Sequence, residues 1–123
     1  MTPDIKTRYE QVSALGVSVC ETLQKEMLKM GLGMDLINPR LERASFELSR
    51  DPASNEFSLV GTWRDKNGLK QGMILFHADG SFFAEYDVIC EHPKKPQWFV
   101  EAVTAWGKDE QIKSEPRLLP VAG

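Results

Sequence analysis

A chain of 123 residues has room for one hydrophobic core and not for two. At 41% hydrophobic and 27% charged residues it lies outside the disordered and membrane-spanning classes. A net charge of −3, with no basic spot denser than Lys94-Lys95, disfavours nucleic acid as a partner.

The N-terminal stretch carries Asp4, Lys6, Arg8 and Glu10, which interrupt any apolar secretory core. No apolar run approaches the roughly 20 residues needed to span a bilayer. Thr2 stands where myristoylation requires glycine, and the C-terminus has no prenylation cysteine. A cytoplasmic protein without membrane attachment is therefore expected. Cys20 and Cys90 are too few for a disulfide framework and read as two reduced, packed thiols.

Ile5, Tyr9, Val12, Gly16, Val19, Leu23, Met27 and Met30 recur every three or four residues. They trace one apolar stripe, so a long amphipathic helix is expected over about 3–30. Thr2 is the expected N-cap, with Pro3 at the first helical position and Asp4 complementing the positive helix end. Gly31 is the expected stop. Gly16 interrupts the stripe and implies either a close backbone contact or a bend.

Beyond a connector over 34–41 the apolar period changes to two. Ala44, Phe46 and Leu48 alternate with Ser45, Glu47 and Ser49, the pattern of a half-buried strand. Asp51 to Asn55 is a turn by composition, and Phe57, Leu59, Gly61 and Trp63 form the next inward face. Asn67-Gly68 and Asp79-Gly80 suit tight hairpin turns. The strand between them places Met73 and Leu75 opposite Ile74 and Phe76. The next strand sets Phe82, Ala84, Tyr86, Val88 and Cys90 against Ser81, Phe83, Glu85, Asp87 and Ile89.

The segment from Trp98 to Trp106 fits a short helix with Phe99, Val103 and Trp106 on one face. It fits better as one arm of a hairpin reaching to about Leu119, with Glu101 facing Lys113 or Arg117 and Pro116 at an edge or bulge. The expected fold is α+β: a single domain with the N-terminal helix packed on an antiparallel meander of five to six strands over about 43–119.

Residues able to carry chemistry are sparse. Cys90 and His92 are two apart and share a strand face, with His77 on the neighbouring strand, but zinc needs three or four ligands. Glu85 and Asp87 share a face at about 7 Å, a spacing at which two carboxylates divide acid and base work if one is desolvated. Alternating acids on a sheet more often mark its wet side. Ser81 lacks the strand-turn-helix elbow of a hydrolase nucleophile, and Gly31-Leu32-Gly33 is no phosphate loop. No catalytic residue, metal or cofactor is expected. His77, Glu85, Asp87 and His92 form the candidate polar site of an alternative reading, a small-molecule or metal-binding domain with a site between helix and sheet at which enzymatic activity is open.

The aromatic residues say more. Trp63, Trp98 and Trp106 occur with Phe57, Phe76, Phe82, Phe83, Tyr86 and Phe99 in the sheet half. Both faces of the third and fourth strands are partly apolar, while one helix is available as cover. Surplus apolar surface needs a second layer, from curling, a dimer mate or a partner. The reading that follows is a non-catalytic binding protein, with Trp98, Trp106, Phe83 and Trp63 as binding residues and a protein partner or self-association expected. A structural homodimer is the further alternative.

Trp63, Trp98 and Trp106, in a chain of this size and acidity, resemble the three-tryptophan (TriTu) predicted bacterial immunity proteins. The resemblance implies a cytoplasmic protein that neutralises a cognate toxin by binding it, and assigns no site residue.

Overall fold

The computed structural model describes residues 4–33 and 39–121. Helix α1, Ile5–Lys29, is followed by a 3-10 turn, Leu41–Arg43, and six strands. These are β1 Ser45–Arg50, β2 Phe57–Arg64, β3 Lys70–Phe76, β4 Ser81–Glu91, β5 Trp98–Lys108 and β6 Gln111–Pro120. Every strand pairs antiparallel with its sequence neighbour, giving one sheet in the order β1-β2-β3-β4-β5-β6. The expected α+β meander is the fold, at the upper end of its strand range.

The helix begins two residues later than its sequence suggests. Asp4 is the N-cap and accepts from the Lys6 amide at 3.3 Å. Thr2 and Pro3, the expected cap and first helical residue, lie outside the described residues. The C-terminal end follows the sequence: Gly31 has φ 88°, and the Leu32 amide reaches back to the Met27 carbonyl at 3.2 Å. That bond closes a Schellman-type cap, which needs a left-handed residue where glycine stands.

The stripe of α1 packs on one face of the sheet. Val19, Leu23 and Met27 are fully enclosed, each contributing roughly 1.5–3 kcal/mol by burial. They meet Leu59, Trp63, Ile74, Phe76, Phe82, Ala84, Tyr86, Val100, Val103 and Ala105 from β2 to β5. Gly16 resolves as a close contact: a Cβ there would lie 2.8 Å from the Leu41 side chain and 3.3 Å from the Phe76 ring. The helix is further tied to β6, where Ser114 Oγ donates to Glu26 at 2.9 Å.

The segment 98–106 is strand, not helix, so alternation separates its apolar residues. Val103 enters the core, whereas Trp106 points to the opposite face. Glu101 does not face Lys113 or Arg117 as expected. Counting back from the turn at Asp109 and Glu110, Lys113 lies opposite Trp106 and Arg117 opposite Ala102, and the ladder shifts only beyond that point, between Val100 and Ala102. The turn, and not the bulge, therefore fixes which residues face one another there. Pro116 sits in β6, an edge strand, where its missing donor is tolerated.

A second irregularity lies in β4, between Asp87 and Cys90. Ile89 there has φ 52° and is 67% exposed. Val88 and Cys90, on either side of it, both pack against the core.

Candidate functional site

Strict pairing makes the face away from α1 readable from the register. One cross-strand row runs Glu47, Val60, Leu75, Phe83, Trp106, Lys113. Four adjacent apolar side chains thus form a band across β2 to β5, with a carboxylate at the β1 end and an ammonium at the β6 end. Val60, Leu75, Phe83 and Trp106 are half-buried, shielded only by their neighbours on the sheet. Met73 adds to the band in the next row, which continues through Glu85, Thr104 and Glu115. Among the described residues no second helix or sheet covers this face.

The expected binding residues therefore divide. Phe83 and Trp106 are direct cross-strand partners on the outer face. Trp98 alternates with core residue Val100, so it lies on the helix side, opposite Pro120 at the sheet's far end. Trp63 is 2% exposed and belongs to the core, which corrects its expected place among surface anchors. Its Nε1 donates to the Arg40 carbonyl at 2.8 Å, and its ring meets Tyr86 edge-on at 5.8 Å. It also lies over Gly72, where a Cβ would stand 3.2 Å from the indole. Trp63 fills the space that the missing side chain leaves.

The polar candidates do not converge. His77 flanks Ser81 at one end of β4, while His92 follows the other end. His92 is buried, and its Nδ1 accepts from the Lys94 and Lys95 amides at 3.1 Å each. That nitrogen holds a loop together. Cys90 faces the core, and burial, with the nearby charge of Glu91, pushes its thiol above the ordinary range. Cys20, buried on α1, is pushed up to about 12 by the same desolvation, which suppresses its thiolate. Among the described residues no three His, Cys, Asp or Glu side chains are grouped as a metal ion requires.

Glu85 and Asp87 do share the outer face. Arg117 grips Glu85 at 2.7 Å. Burial first, and then the Glu85 charge, raise the Asp87 carboxyl above its usual range. A salt-bridged acid beside a modestly desolvated one, on an open sheet face without an enclosing cleft, is a weak basis for acid–base catalysis.

One polar feature was not legible in the sequence. Ser58 Oγ lies 3.0 Å from His77 Nδ1, in a shallow hollow also lined by Asp51, Ser54, Glu56, Asp79 and Ser81. The two residues are 19 apart, and only the β2–β3 register brings them together. Asp79 is held below the usual carboxylate range by hydrogen bonds from the Ser81 hydroxyl and amide. Its carboxylate bonds to Ser81 and not to the imidazole, so the serine–histidine pair lacks the third group that would orient it.

No helix among the described residues is long and apolar enough to cross a membrane. Comparison with protein-family models, with curated proteins and with solved structures finds no match to this chain.

Proposed function

We propose that this chain is a non-catalytic binding protein of the cytoplasm whose outer sheet face docks a protein partner. The observation that carries this reading is the unbroken row Val60, Leu75, Phe83, Trp106 on the side of the sheet away from the helix. An apolar centre with aromatic anchors, ringed by charged residues, has the composition of a recognition surface. Glu47, Glu85, Asp87 and Glu115 on the same face suit a protein better than a nucleic-acid backbone. Toxin neutralisation, which the three-tryptophan resemblance implies, would be one form of this docking; the outer-face position of Trp106 supports that reading.

The test compares wild type with Phe83→Arg, which sets a charge in the middle of the row. Both proteins are used as bait in native-cell extract, and circular dichroism checks that each is folded. A protein retained by wild type and lost with folded Phe83→Arg supports the reading. Identical captured sets, or none from wild type beyond background with no self-association, remove it.

A further inference from the structure

The row across the outer face is charged oppositely at its two ends. Glu47 on β1 and Lys113 on β6 are both exposed, and among the described residues neither takes part in an ion pair within the chain. Between them lie only apolar side chains. Such a face complements itself in one orientation and repels itself in the other.

Two copies can stack face to face about a two-fold axis in either of two ways. An axis across the strands lays each strand on its own equivalent, so Glu47 meets Glu47 and Lys113 meets Lys113. An axis along the strands lays β1 over β6, β2 over β5 and β3 over β4. Glu47 then meets Lys113 of the partner subunit, Val60 meets Trp106 of the partner subunit, and Leu75 meets Phe83 of the partner subunit. The neighbouring rows raise no like-charge conflict in this second arrangement: Thr62 falls opposite Thr104 and Ser58 opposite Lys108. Aligned sheets pack in this way about 10 Å apart, rotated about 30° by their twist.

The sheet edges offer a poorer contact. Edge strand β6 carries Pro116 and Pro120 with Lys113 and Arg117, and β1 is only six residues long. Proline, charge and short length all disfavour strand addition.

We infer that the occupant of the outer face is a second copy of this chain, seated about an axis parallel to the strands so that β1 of each copy lies over β6 of the other. This rests on the reading of that face as a docking surface and names its partner. An isologous interface of this kind uses each Glu47–Lys113 contact twice.

Sedimentation equilibrium on the full chain tests it. Wild type is expected to dimerise at micromolar concentration. Glu47→Lys and Lys113→Glu each create two like-charge contacts and should weaken the dimer about tenfold or more, while the double variant Glu47→Lys/Lys113→Glu should return to within about threefold of wild type. Both substitutions are at exposed positions, so folding is not at risk. A dimer weakened by each reversal and restored by the double variant supports the inference. A monomeric wild type, unresponsive reversals, or failure of the double variant to restore overturns it. If wild type is monomeric yet Phe83→Arg loses a captured protein, the docking face stands and the second copy falls. A dimer insensitive to Phe83→Arg pairs through another surface and overturns the second copy as occupant, while the docking reading is decided by the capture experiment.

Discussion

Asp87 shows how a single side chain reports its surroundings. Its carboxyl is raised by burial and then by Glu85, so the folded chain holds that proton more tightly than the unfolded one. The associated stability is fully present below the unfolded value and is lost as pH rises through the folded value. Asp87→Asn should therefore be more stable than wild type at neutral pH. The gain is a few tenths of a kcal/mol, because the carboxylate is still largely solvated. The difference should vanish at about pH 3, below the ordinary Asp value. Urea denaturation at both pH values reads it, and a destabilised variant at neutral pH would mean that Lys70 and Arg117 hold the ionised form. The sequence places Glu85 and Asp87 on one face by alternation alone. It could not show that Arg117 takes Glu85, because that pairing depends on the registers that set β4 beside β5 and β5 beside β6.

At the scale of elements, β4 holds conformational strain at its bulge. Ile89 is β-branched, largely exposed and in the left-handed region, which costs about 1–2 kcal/mol for a residue with a Cβ. Val88 and Cys90 on either side of it both pack against the core. Ile89→Gly removes the strain without touching the core and should raise stability by about 1 kcal/mol in a urea titration. A loss instead would show that the exposed isoleucine makes a stabilising contact. The strands, hairpin turns and long helix were legible because apolar spacing of two or of three to four residues encodes them directly. The bulges were not, since inserting one residue leaves the local alternation intact on either side. The Glu101 pairing fails for another reason: the turn at Asp109 and Glu110 sets Lys113 opposite Trp106 and Arg117 opposite Ala102.

For the whole molecule, the three tryptophans divide by layer. Trp63 is sealed between helix and sheet, so Trp63→Ala should cost about 3–5 kcal/mol and lower the melting temperature sharply. Trp106 stands on the outer face, and Trp106→Ala should cost the isolated subunit about 1 kcal/mol or less. Thermal unfolding at low protein concentration, where self-association is weakest, separates the two. Equal losses would contradict the layering.

By itself the sequence determined the helix, an antiparallel meander of five to six strands and the apolar surplus on β3 and β4, because these follow from periodicity and turn chemistry along the chain. Which tryptophan is core and which is surface, which side chains share the row from Glu47 to Lys113, and that Ser58 meets His77 were decided by tertiary structure. Those facts depend on register and on which face the helix covers, and both are set by packing between residues far apart in sequence.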